Sequence, residues 1–144
     1  SPGCMTMATL TLNAGAVFTE EIAGTTACTQ YDQTTVTGAV DLGSATLNIV
    51  LSTTPADGAV FTIVNAGSVT GTFNGLANGA TITVNGVQFR VNYSSTTVTL
   101  TKLAGTLTTT TLSSTGNQQL ASLISGLFIL MAVAIIKRLS VFAK

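Results

Sequence analysis

The sequence predicts an all-β domain, either a short β-helix-like fold or a β-sandwich or roll, followed by a single C-terminal hydrophobic α-helix. Three observations carry this. Residues 1–107 run in short apolar or alternating bursts of β-branched residues separated by Gly, Asn or Asp. Turn dipeptides punctuate them, Asn85-Gly86 most sharply. Residues 120–136 then carry no charge at all and are closed by Lys137 and Arg138.

The expected strands are 8–12, 16–22, 34–40, 45–51, 59–64, 69–73, 80–84, 87–93 and 97–102. Each is as long as an ordinary strand, and turn residues bound most of them. Asn85-Gly86 supplies the positive φ values of a two-residue hairpin, which brings Ile82 and Val84 onto one face with Val87, Phe89, Val91 and Tyr93. Asn78-Gly79 and Pro55-Ala56-Asp57-Gly58 are two further turns. Phe61, Ile63, Val69 and Phe73 are core candidates, as are Leu47, Ile49 and Leu51, which alternate with Thr46, Asn48 and Val50. Edges with so little charge invite pairing with another chain.

Only 7% of residues are charged. All five acids, Glu20, Glu21, Asp32, Asp41 and Asp57, fall in the β part, opposed there by Arg90 and Lys102 alone. An acidic domain without a basic cluster is a poor partner for nucleic acid. The remaining bases, Lys137, Arg138 and Lys144, stand beside the apolar run, where the positive-inside tendency keeps them in the cytoplasm and leaves the β domain outside. The chain starts at Ser1, as expected after signal-peptide removal or at a chosen boundary. Cys4 and Cys28 are the only cysteines, and in an exported domain they are expected to pair; two free buried thiols are the alternative.

At 1.5 Å per residue, residues 120–136 cover about 26 Å, the short end of a bilayer span. The expected organisation is an extracellular β domain (1–107), a Thr/Ser-rich linker (108–119), a transmembrane or assembly-core helix (120–138) and a basic amphipathic tail (139–144). Ala121 with Ser125 and Ser122 with Gly126 place small residues four apart, which permits close helix contact. Ile129 and Ile135 are the apolar positions whose surroundings, lipid or other helices, distinguish an anchor from an assembly core. Lys137 and Arg138 are placed to snorkel toward the interface.

Several segments together resemble one family. Thr9-Leu10-Thr11-Leu12, Ile22-Ala23-Gly24-Thr25-Thr26-Ala27 running into Thr29-Gln30-Tyr31-Asp32-Gln33, Val36-Thr37-Gly38 and Gly43-Ser44-Ala45-Thr46-Leu47 are similar to the end of the passenger region in autotransporter-like, haemagglutinin-like bacterial surface proteins. Gly58-Ala59-Val60-Phe61-Thr62-Ile63-Val64 and Gly71-Thr72-Phe73-Asn74-Gly75-Leu76 continue the likeness, which spans about residues 8–102. The resemblance implies a right-handed parallel β-helix or its cap on a bacterial envelope, with an adhesive or structural role. Three features depart from it. Ser94-Ser95-Thr96-Thr97 replaces a Gly-rich closing turn, Cys28 stands where glycine is common, and the sequence shows neither a long stack of preceding coils nor an outer-membrane barrel.

Little in the sequence points to catalysis. Histidine is missing, so the commonest acid-base residue and metal ligand is unavailable. Glu20 and Glu21 are adjacent and on a strand face opposite sides, unlike a glycosidase pair. Tyr31-Asp32-Gln33 reads as a turn in which Asp32 caps nearby amides. No catalytic, cofactor or metal residue is expected, and no cofactor. The expected function is a non-enzymatic structural or adhesive cell-surface protein held by its C-terminal helix. The alternatives are a subunit of a homopolymeric surface filament with helices packed in its core, and an accessory subunit of a membrane protein complex. The expected partners are accordingly the lipid bilayer, identical subunits, or other membrane-complex subunits.

Overall fold

The computed structural model describes residues 1–105, and it places nine strands in them. They are β1 (Cys4–Met7), β2 (Leu10–Thr11), β3 (Val17–Ile22), β4 (Gln33–Asp41), β5 (Thr46–Leu51), β6 (Val60–Thr70), β7 (Thr81–Val84), β8 (Val87–Tyr93) and β9 (Thr97–Lys102). The domain is all-β, with mixed parallel and antiparallel pairing. The expected C-terminal helix and linker lie outside the described residues.

Parallel pairing organises the first half. Both β1 and β2 pair with β4 on one side, and β6 pairs with it on the other, while β3 and β5 form a separate two-stranded sheet. Paired positions are 29 or 30 residues apart, as in Cys4 with Gln33, Val17 with Thr46 and Thr34 with Val64. The chain therefore crosses the larger sheet, crosses the smaller one, and returns to the larger sheet one strand over. After β6 the pairing turns antiparallel, in the order β6, β9, β8, β7.

Period-two alternation decides what is buried. In β5, Leu47 and Ile49 point inward while Thr46, Asn48 and Val50 are exposed. In β9 the inward set is Val98, Leu100 and Lys102. Phe61 lies at the centre, edge-on to Tyr31 at 5.2 Å and to Phe89 at 6.2 Å between ring centroids. Such pairs add about 0.5–1.5 kcal/mol each beyond the area they bury.

Two strand glycines mark places where successive circuits approach closely. A β-carbon on Gly38 would stand 2.7 Å from the Ala8 carbonyl oxygen, and one on Gly67 would stand 2.8 Å from that of Thr37. The register between β4 and β6 shifts at this level, between Val36 and Ala39. Glycine here permits a close backbone approach that a side chain would block.

The strand pattern departs from expectation in two places. Segments 59–64 and 69–73 are not two strands: residues 60–70 form the single β6, because β4 pairs with it on both sides of the register shift and buries Ala66. Phe73 lies beyond that strand yet is 1% exposed. β1 has no alternating apolar signal in Cys4-Met5-Thr6-Met7; it exists through its pairing with β4. The Asn85-Gly86 hairpin has the expected form, with φ of 50° and 79° and Val84 paired to Val87.

Candidate functional site

The densest polar arrangement fastens the N-terminal strand to the first circuit. Asp32 accepts hydrogen bonds from the amides of Gly3 (2.7 Å) and Glu21 (2.8 Å), one on each carboxylate oxygen. The Gln33 amide donates to the Gly3 carbonyl at 3.1 Å. Cys4 and Cys28 are joined by a disulfide that crosses the same place. Cys28 has a φ of 67°, in the left-handed region that favours glycine. A short carboxylate, a backbone pair and a covalent link thus converge on the start of β4. Every one of these contacts joins one segment of the chain to another.

Glu20 and Glu21 diverge, as their adjacency on β3 requires. Glu21 faces outward and its carboxylate lies 2.6 Å from the Ser1 amino group. Glu20 shares the inward phase of Phe18 and Ile22, is 1% exposed, and its Oε2 has no hydrogen-bond partner among the described residues. Burial first, and then the charge of Asp32, push its carboxyl up from an ordinary 4.5 to about 9. At neutral pH Glu20 is a protonated acid enclosed in the core. Its 1% exposure closes it off from the solvent with which a general acid exchanges its proton.

The other acids serve turns and one ion pair. Asp41 accepts from the Gly43 amide at 3.0 Å, closing the turn after β4. Asp57, in the Pro55 turn, pairs with Lys102. Asp32, Asp41 and Asp57 thus hold separate parts of the backbone, and among the described residues no group of three His, Cys, Asp or Glu could hold a metal ion.

The closing hairpins are tied by Tyr93. Its hydroxyl donates to the Leu76 carbonyl at 2.9 Å and accepts from the Phe73 amide at 3.1 Å, while its own amide donates to Asn78 Oδ1 at 2.9 Å. Tyr93→Phe leaves two partly buried backbone groups without their partner. The expected loss is about 1–2 kcal/mol, read from the urea midpoint, with far-UV circular dichroism unchanged.

What remains for recognition is surface. A shallow groove between Leu51, Ser52, Thr53, Thr54, Asn85 and Val87 is lined by polar and apolar surface in equal measure. On the outermost strands of the first circuit, Met5 of β1 is 59% exposed and Val17 of β3 is 62% exposed. The packing positions expected in the tail, Ala121, Ser122, Ser125, Gly126, Ile129, Ile135, Lys137 and Arg138, lie outside the described residues. Among the described residues no helix is long and apolar enough to cross a membrane.

No protein-family model, curated protein or solved structure matches this chain. Its functional reading therefore rests on its own residues. Sequence reasoning put Glu20 and Glu21 on opposite faces without saying which faced inward, and took Lys102 only as an opposing charge. The signal was present as simple phase: Phe18, Glu20 and Ile22 alternate, and so do Val98, Leu100 and Lys102.

Proposed function

We propose that this chain is a non-enzymatic structural or adhesive protein of a bacterial cell surface, with its β domain displayed outside and its apolar C-terminal stretch holding it to the envelope. The observation that carries the reading is a pairing of opposites. A disulfide-clamped β domain with a Thr-rich, sparsely charged surface precedes an uncharged stretch closed by Lys137-Arg138. Disulfides persist in oxidising compartments. The offset of 29 or 30 residues between parallel strands supports reading β1 to β6 as a short β-helix, with the hairpins β7 to β9 as its cap. That is the form the autotransporter-like resemblance implies.

The filament reading is favoured by one observation. The outermost strands of the first circuit expose Met5 and Val17 beside backbone with no strand partner among the described residues, a surface onto which a second copy could add strands. Both readings need the apolar tail. Removing residues 118–144 is expected to move the protein from the envelope fraction into the medium while residues 1–105 keep their β circular dichroism. Retention or assembly unaffected by that truncation would defeat the anchor and the helical-core filament together.

A further inference from the structure

Between the β domain and the apolar stretch the chain reads Thr111-Leu112-Ser113-Ser114-Thr115-Gly116-Asn117. Leu112, Thr115 and Gly116 have the spacing Leu-x-x-Thr-Gly, and residues 120–136 and the basic pair Lys137-Arg138 follow in order. Each part has its own task at a membrane. The apolar stretch covers about 26 Å, enough to halt in a bilayer. The basic pair keeps the far end in the cytoplasm. A Thr-Gly bond just outside the stretch is then held at the membrane surface, within reach of an enzyme anchored in the same membrane. A small-residue cleavage site, a polar spacer and a removable apolar tail are the ingredients by which other C-terminal tails are exchanged for a covalent anchor.

We propose that the bond between Thr115 and Gly116 is a transpeptidation site, at which a membrane-held cysteine transpeptidase of the sortase class joins Thr115 to a primary amine of the cell envelope. This rests on the surface reading above and replaces a tether in lipid with a covalent one. The enzyme's thiolate attacks the Thr115 carbonyl carbon, and the C–N bond to Gly116 breaks. The Gly116 amine takes up a proton and leaves with residues 116–144. The acceptor amine then attacks the Thr115 thioester, an amide forms, the amine gives up its proton, and the thiolate returns. No electrons are exchanged. Ser113 stands at a position where proline is common in such signals.

The folded domain decides between two sources of amine. The chain has three lysines, and Lys137 and Lys144 depart with the tail. Lys102 stays, but its side chain is 10% exposed and paired with Asp57. An enclosed amine held against a carboxylate is poorly placed to reach a neighbouring copy's thioester. Lysine-linked polymerisation of this chain is thereby disfavoured, and the acceptor is an amine of the envelope polymer.

The test is mass spectrometry of the native protein released from its source cells by digestion of the wall polymer, beside a detergent extract of the same cells. The wall-released chain is expected to end at Thr115 carrying an amine-linked envelope fragment and to lack every peptide from residues 117–136. Thr115→Ala combined with Gly116→Ala, both outside the unit Ser1–Gly105, should abolish that product and leave the chain full-length in the membrane. A native chain intact through Lys144, extracted by detergent and labelled by a membrane-impermeant reagent on whole cells, overturns the proposal and leaves the surface reading standing. A chain that escapes the label overturns both. A free Thr115 carboxylate means hydrolysis without transfer, and a branched peptide at Lys102 means copy-to-copy linkage; either result overturns it.

Discussion

Replacing Cys4 and Cys28 together by serine is expected to cost the β domain about 3.5 kcal/mol, from the loop-closure entropy that the disulfide removes from the unfolded chain. The two cysteines are separated by 24 residues, and their link closes the N-terminal strand onto the first circuit. β1 has no apolar face of its own to replace that link, since Cys4, Met5 and Thr6 are exposed. Urea unfolding followed by circular dichroism checks the loss, and reducing the native protein should shift its midpoint in the same way. An unchanged midpoint in both experiments would show that β1 is held by Asp32 and strand pairing alone. A second pair of variants separates covalent from backbone effects. Because residue 28 has a φ of 67°, Cys4→Ser with Cys28→Gly should be more stable than Cys4→Ser with Cys28→Ser by about 1 kcal/mol.

Glu20→Gln is expected to stabilise the protein at neutral pH by about 3 kcal/mol, because the native fold holds Glu20 protonated while the unfolded chain releases the proton. The direction follows from its folded pKa of about 9 against an ordinary 4.5. Below about 4.5 the carboxyl is protonated in both states, and its environment costs nothing through ionisation. Between about 4.5 and 9 the unfolded chain binds fewer protons than the native one, so native stability falls as pH rises. Above about 9 the difference levels off. The quantity to measure is the gap between wild-type and Glu20→Gln urea midpoints from pH 4 to pH 9. A gap that stays flat across that range would mean that Glu20 ionises freely in the native fold.

The fold was legible wherever local rules were enough. Alternation in Thr46 to Leu51 and in Val87 to Tyr93 placed those strands, because a period of two puts every second side chain on the core face. Asn85-Gly86 announced its hairpin, because two consecutive left-handed residues favour those types. The charged core groups were harder to see. Glu20 and Lys102 stand in the inward phase of β3 and β9, and alternation alone does not say which of a strand's two faces the core will cover. Lys102 is accommodated by Asp57, which a turn brings from 45 residues away. Glu20 is accommodated by giving up its charge.

Residue types alone also could not distinguish a helical stack from a sandwich, since both demand the same alternation. Pairing at an offset of 29 or 30 residues arises only once backbones from separate parts of the chain lie side by side, and no local propensity encodes it. The same holds for β1, which β4 and the Cys4–Cys28 link create. It holds for β6, where β4 spans the weakly apolar Asn65 to Ser68 and makes one strand of two expected ones.

The amino-acid sequence by itself determined that this protein is β-rich, poor in charge, and ended by an uncharged stretch with a basic close, because those are matters of composition and short-range periodicity. Only the tertiary structure decided which strands pair in parallel, where Glu20 is enclosed, and that Lys102 is buried against Asp57. The physical reason is common to all three. Partner strands and neutralising groups come from distant parts of the chain, and burial is a property of the assembled sheet rather than of any residue in it.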